Sequence, residues 1–553
     1  MRSIISPLDG FSSPFGARRL GGGVSPFALY AANGFTPPLV ADYKNEVYAV
    51  DGVASTFDDM HTYAGASLKT MVDSDGALKW APHNLQADSK DISNWINSGD
   101  PLDTPTLSGN TDPKGVPTYL LAKGTSGAAN FRYLKNNTTT IVGVNYTTEI
   151  TVRYVAGSTP YLFLPWPNDT RLSFFNTTTG AFTRNAAGVT TSVNDLGGGY
   201  YRLKLVADAI AISSNNGVGL SGLNLGNYAC AGDEIFEVSA GVQYRSDLGG
   251  MVNNPETGDS YVPTADAAVY LPRRGNHVWD GTEWVNEGVL IESAAATNLL
   301  LNSGTLATQS VTVTAVPHTL HFTGTGTVTL TGASTAGPLV GTGAGEENRT
   351  SLTFTPTAGS LTLTVSGTVT NADLIVGSTL QSHIPTEGAT ATRAAETLQI
   401  DAANMPAYTD AVSLATKGAI TYADTNSAFN VNHFEWLAGE TEKITGYVDT
   451  RFGSGQLTIN QRSSAGSAFL KTGFNTYAPG VNVPLNTASR HGATFVNLAV
   501  GGTALTADTT PTTIADLSTA PFQMATAGNM NIGQVLAWPE DIGDTGIEEA
   551  SAP

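Results

Sequence analysis

A single cysteine, Cys230, stands among 553 residues, so no intrachain disulfide can form and the fold holds without staples. Cys230 reads as a buried, inert residue. Charge is also scarce. Asp, Glu, Lys and Arg make up 13% of the chain, about half the roughly 25% of an ordinary soluble protein. The positive sign is the scarcer one: 27 Lys and Arg against 47 Asp and Glu, a net charge of −20. That disfavours nucleic acid and anionic membrane as partners, because both are held by basic patches. No apolar run reaches the ~18–20 residues of a membrane span, and residues 1–17 lack the apolar stretch of a signal peptide. The expectation is a protein made and folded in a cytoplasm, with no membrane insertion.

Catalytic patterns are as sparse. There is no G-x-S-x-G and no P-loop. Gly217-Val218-Gly219-Leu220-Ser221-Gly222 fits G-x-G-x-x-G, but another Gly-rich stretch follows it where a helix N-terminus is needed. Asp73-Ser74-Asp75-Gly76 has the start of a calcium loop without its later ligands and reads as a β-turn. His318 and His321 are three apart in a strand region and so face opposite sides; the histidines read as polar surface groups. The acidic pairs Asp58-Asp59, Glu346-Glu347 and Glu548-Glu549 read as solvated turns, because sequence neighbours in strands diverge. Gly232-Asp233-Glu234 is a minor candidate for structural calcium. No catalytic, cofactor or metal residues are expected, and no enzyme.

What is abundant is turn and strand material. Gly numbers 60, Pro 27, and Thr is frequent throughout. Residues 171–207 show the pattern best. A strand over 171–176 meets a turn at Thr177–Gly180, where Asn176 starts an Asx turn and Gly180 tolerates positive φ. After Gly197-Gly198-Gly199, Tyr201, Leu203 and Leu205 point one way and Tyr200, Arg202 and Lys204 the other. Ile150, Val152 and Tyr154 alternate likewise with Thr151 and Arg153. The fold class is therefore all-β, a string of antiparallel β-sandwich domains.

Punctuation sets the boundaries. Residues 1–50 are irregular, broken by Ser-Pro and Pro-Pro steps, with Phe11, Phe15, Phe27, Leu29, Tyr30 and Phe35 at no regular spacing. They read as an extended arm docking on another protein. Residues 51–82 are lead-in strands. Residues 83–265 form a first sandwich, 266–296 a connector, 297–393 a smaller second sandwich and 394–553 a third unit. Tyr261-Val262-Pro263-Thr264 matches His383-Ile384-Pro385-Thr386, and His83-Asn84-Leu85 is echoed by Thr297-Asn298-Leu299, so the two sandwiches read as diverged copies of one module.

The residues Phe175-Asn176-Thr177-Thr178-Thr179-Gly180 and Gly199-Tyr200-Tyr201-Arg202, with the connector around Gly288–Ser293 and Thr297–Ser303, resemble a lectin-like β-sandwich found in virion proteins of tailed bacteriophages. Residues 394–553 resemble, more weakly, a concanavalin-like jelly roll. The resemblance implies a structural virion protein, a tail fibre or tail appendage meeting the host surface. It would join other tail or baseplate proteins through residues 1–50 and be exposed on the particle. A head decoration protein and a polysaccharide-degrading tailspike remain open alternatives. Low charge over many strand edges implies a homotrimer. For a host glycan, Trp166, Asn168 and Asp169 in a Pro-bounded loop come first, as an aromatic face beside planar polar groups, and Tyr200 with Arg202 second.

Overall fold

The period-two stretches pair into antiparallel sheets throughout the computed structural model, which describes residues 27–99, 104–122, 132–168, 171–221, 233–423 and 430–553. The protein is all-β, with two short helices, Phe57–Met60 and Gly543–Ser551, among the described residues. Its strands form three sandwiches.

The first sandwich packs one sheet in the order Thr190–Gly197, Tyr200–Asp208, Asn145–Ala156, Ile235–Arg245, Pro117–Ala122, Thr106–Thr111 against a second. The second runs Ala181–Arg184, Leu172–Asn176, Tyr161–Pro165, Ser213–Ser221, Arg132–Thr139, Ile96–Gly99. Ile150, Val152, Leu203, Leu205 and Phe175 fill the space between. The Asx turn is present: Asn176 Oδ1 accepts from Thr178 N at 2.8 Å. Gly197, Gly198 and Gly199 all have positive φ, a run that residues with a Cβ would resist. Gly217 to Ser221 lie inside a strand, so the nucleotide-like motif is sheet.

The second sandwich is smaller. His318–Thr323 and Thr370–Val376 lie at the centre of one sheet, Thr327–Gly332 and Gly359–Ser366 at the centre of the other. Leu320, Phe322, Val328, Leu330, Leu361 and Leu363 are its core.

The two sandwiches share a clasp. Asn84 Nδ2 donates to the carbonyls of Gly241 and Val262, while its Oδ1 accepts from Gln86 N and Gln243 N. Asn298 does the same with Ala372, Ile384, Leu300 and Leu374. Ser89 and Thr264 exchange backbone-to-hydroxyl bonds, and so do Ser303 and Thr386. The chain-level echo is thus one hydrogen-bond device used twice.

The third sandwich corrects the expected boundaries. Residues 27–50 are not an arm on another protein. Leu39–Asp42 is a central strand paired with both Val47–Val50 and Asn529–Trp538. All four of its residues are buried. A short run buried on both faces shows no alternation, which is why it looked irregular. Phe27, Tyr30 and Phe35 pack with Trp538, Ile542 and Ile547 of the same domain, while Leu29 is exposed. Phe11 and Phe15 lie outside the described residues.

His61–Ala64 extends the opposite sheet through Thr397–Ile400. From the connector, Val289–Glu292 also pairs with Asn529–Trp538. The third domain is therefore assembled from both ends of the described chain, with the two smaller sandwiches inserted between.

Five buried charged groups lie where the lead-in, the connector, the second sandwich and the third domain meet. Arg273 Nη1 donates to Glu292 at 2.7 Å and Arg273 Nη2 to Glu396. Arg393 Nε lies 3.0 Å from Glu292. Lys69 Nζ lies 3.9 Å from Glu396, and burial pulls its pKa down to about 7. The eight histidines are not surface groups either: seven are buried, and only His277 is partly open.

Candidate functional site

The sequence candidates part company in the structure. Trp166 is fully buried in the first core and has no open face for a sugar. Leu162, Leu164 and Trp166 recur at period two along one strand and its end, so the indole follows the leucines inward. The neighbouring prolines end the strand; they do not hold the ring outward. Asn168 Oδ1 accepts from Arg171 N at 3.2 Å and closes that turn. Asp169 and Cys230 lie outside the described residues. Tyr200 is on the expected face but covered: its hydroxyl donates to Glu237, and the Arg153 guanidinium sits 4.7 Å above its ring. Burial, then Glu237, pushes the Tyr200 pKa up to about 12.

Arg202 is the candidate that reaches a cavity. The cavity measures about 490 Å³ and lies on the outer face of the sheet carrying Tyr200–Asp208, within the usual range of about 300–1,000 Å³ for ligand sites. Strand pairing assembles its floor: Arg202 lies opposite Thr151, and Lys204 opposite Glu149. Arg202 Nε donates to Glu149 at 3.0 Å, and Nη1 to the Ala240 carbonyl. Nη2 is buried with no hydrogen-bond partner. Tyr244 and Ser260 donate to the two oxygens of Glu149 at 2.8 and 2.6 Å. Burial pushes the Glu149 carboxyl up, but Arg202, these two hydroxyls and Lys204 outweigh it and hold the carboxyl below its ordinary range.

The loop from Glu256 to Tyr261 roofs the floor, with Asp112 and Lys114 at one side. Lys114 Nζ reaches Asp259 at 3.7 Å. The sequence reading missed Glu149, Ser260 and the roof. Glu149 alternates with Ile150 and so had to face outward, but its pairing with Lys204 depends on strands about fifty residues apart.

The remaining polar motifs serve the fold. Lys79 Nζ bridges Asp73 and Asp75 at 2.7 and 2.9 Å, so an ammonium sits where a calcium-loop cation would. Asp233 accepts from Ser158 Oγ at 2.6 Å and Glu234 from Thr159 Oγ1 at 2.5 Å, which pins one loop. Asp59 accepts from Thr56 at a helix N-terminus, Glu346 pairs with Arg349, and Glu549 accepts from Asn33 N. Among the described residues no group of three or more His, Cys, Asp or Glu is placed to hold a metal ion, and no helix is long and apolar enough to cross a membrane. Neither a family model nor a curated protein matches the chain.

Proposed function

We propose that this chain is a structural protein of a tailed-bacteriophage virion, a homotrimeric tail fibre or tail appendage that binds a host-surface glycan in the cavity over Arg202. The reading joins the resemblance of the Gly199–Arg202 segment to one observation: that same Arg202 lines a roofed polar cavity and carries a buried Nη2 with no hydrogen-bond partner. An unmatched guanidinium N–H in a desolvated place costs stability until an acceptor arrives. A sugar carboxylate or hydroxyl supplies that acceptor, and Glu149 and Ser260 hold the guanidinium in position for it. An acidic glycan suits it best, since a bond to a charged acceptor is the stronger kind.

The test has two arms. Antibody against the protein, applied to virions and imaged by electron microscopy, should mark the tail; marking of the head would move the protein to head decoration, and no marking would remove the virion reading. In the second arm, Arg202→Gln should lower affinity for capsule or lipopolysaccharide from the phage's host about tenfold or more, the scale of a lost charge-assisted bond. Unchanged affinity sinks the site.

A further inference from the structure

Among the described residues the hairpin His277–Trp279 and Trp284–Asn286 pairs only with itself. Its two tryptophans have different surroundings. Trp284 packs against Gly76, where a Cβ would come within 2.3 Å of its Nε1; only glycine permits that approach. Trp279 leans on Trp284, ring centroids 5.5 Å apart, and keeps 37% of its surface open. It is thus a held aromatic face, not a mobile one.

Trp279 and Val278 stand between two cavities, about 340 Å³ and about 650 Å³, that also share Val481 and Asn482. Together the cavities make one trough over the outer face of the third domain's larger sheet. Its floor comes from the outward side chains of three adjacent strands, including Thr421, Asn482, Asn486, Asn531 and Gln534. The amides are oriented by a chain of bonds: Asn276 donates to Asn531 at 2.9 Å, Asn531 to Asn482 at 3.0 Å, and Thr421 to Asn482 at 3.2 Å. Ala419 and Pro484 keep part of the floor flat and apolar.

Most charged groups along the trough are spent within the protein; Asp280 and Glu347, exposed at its rim, accept from neighbouring N–H groups. Lys44 pairs with Glu287 at 2.7 Å. Asp42 accepts from Tyr30 and Asn45, both at 2.9 Å. Lys417 Nζ donates to the Ala552 carbonyl at 2.6 Å. Glu346 holds Arg349, and Glu292 holds Arg273. What faces the trough is an indole and a set of amides that both donate and accept. That is the chemistry for an uncharged, hydroxyl-rich chain: C–H faces on the aromatic ring, hydroxyls on the amides.

We infer a second carbohydrate site here, for a neutral oligosaccharide lying across Trp279 with units in both cavities. It is distinct from the Arg202 cavity, which offers an unpartnered guanidinium nitrogen beside a carboxylate, and it stands whether or not the chain belongs to a virion.

The test uses the full chain with cellohexaose, maltohexaose and chitohexaose as probes, followed by ligand-observed NMR and calorimetry. At least one should bind, and Trp279→Ala should weaken it about tenfold, the scale of one aromatic contact. Arg202→Gln should leave that binding unchanged. No binding of any of the three by the parent overturns the inference. So does retained affinity in Trp279→Ala, or loss in Arg202→Gln alone, which would place the sugar in the first cavity. Sedimentation separates the remaining case: a Trp279→Ala protein that changes oligomeric state but not sugar affinity makes the hairpin a contact between copies instead.

Discussion

The two smaller sandwiches use one clasp and put opposite things beside it. In the first, Ser260 precedes the Tyr-Val-Pro-Thr segment and donates to Glu149, which holds Arg202 at the edge of an open cavity. In the second, Ser382 precedes His-Ile-Pro-Thr and donates to Glu292, which holds Arg273 and Arg393 with almost no exposure. In the first sandwich this serine–carboxylate–arginine group is built from the module's own strands and lies beside an open cavity; in the second the carboxylate and Arg273 come from the connector, and the group is sealed. What seals it is the third domain, which contributes Glu396 from the residue just before its strand Thr397–Ile400. The clasp is thus the same in both sandwiches, while the face beside it lines an open cavity in the first and forms a joint with the third domain in the second. In the second copy the clasp also recruits Asp373, which accepts from Asn298 and lies 2.6 Å from His383.

The largest effect expected from breaking this arrangement is at the joint's foundation. Deleting residues 27–50 removes a strand paired on both sides and the aromatic cover of Trp538. The third domain should fail to fold, seen as insoluble protein or loss of its melting transition. A soluble truncation with parental circular dichroism would mean that the domain closes without these strands.

Next comes the contrast between arginines. Arg273→Met removes the cation that bridges Glu292 and Glu396 in a dry site, leaving Glu396 with Lys69 and Arg393 at 3.9 Å, and should cost about 3–5 kcal/mol, as for other broken buried ion pairs. Arg202→Met leaves Glu149 beside a cavity that water can enter, with two hydroxyls still donating to it, and should cost about 1 kcal/mol. Urea denaturation gives both numbers. Equal costs would erase the distinction between a sealed and an open copy. A related measure tests the core assignment: Trp166→Ala should cost about 3–5 kcal/mol, as for other buried aromatics. A near-parental melting temperature would return Trp166 to the surface.

Much of this was readable in the chain. The turn at Thr177–Gly180 and the parity of Tyr200 to Leu205 follow from local rules of turn chemistry and alternation. The paired Val-Pro-Thr and Ile-Pro-Thr endings announced the duplicated clasp. Two kinds of information were not local. Leu39–Asp42 pairs with residues nearly five hundred positions away, and no short-range pattern records that. Outward faces also looked solvated because alternation tells which side a residue takes, not what covers that side. Glu149, Thr151 and Glu237 all point away from the core and are still buried, under the roof and neighbouring strands. Trp166 is a different kind of error: its period-two relation to Leu162 and Leu164 was present, and the prolines drew attention from it.

The last expected effect is a pH slope and concerns His321 in the sealed copy. It is fully buried and faces Asp373, His383, Arg349 and Glu292. Burial pulls its pKa down to about 3, against the attraction of Asp373, while in the unfolded chain it titrates near the ordinary value of about 6.5. Between those values the unfolded state binds the proton and the folded state does not, so stability falls as pH drops through about 6.5 toward 3. Above pH 6.5 the residue contributes no slope. His321→Gln keeps a polar group of similar size and removes the titration. Whatever its stability at pH 7, the variant should lose about 1–2 kcal/mol less than the parent between pH 7 and pH 5, allowing roughly 1.4 kcal/mol per pH unit below 6.5. Denaturant midpoints at the two pH values, parent against variant, give the difference of differences directly. Identical pH slopes would mean that water or a compensating proton on the neighbouring groups reaches His321, and that this copy is less sealed than its geometry makes it.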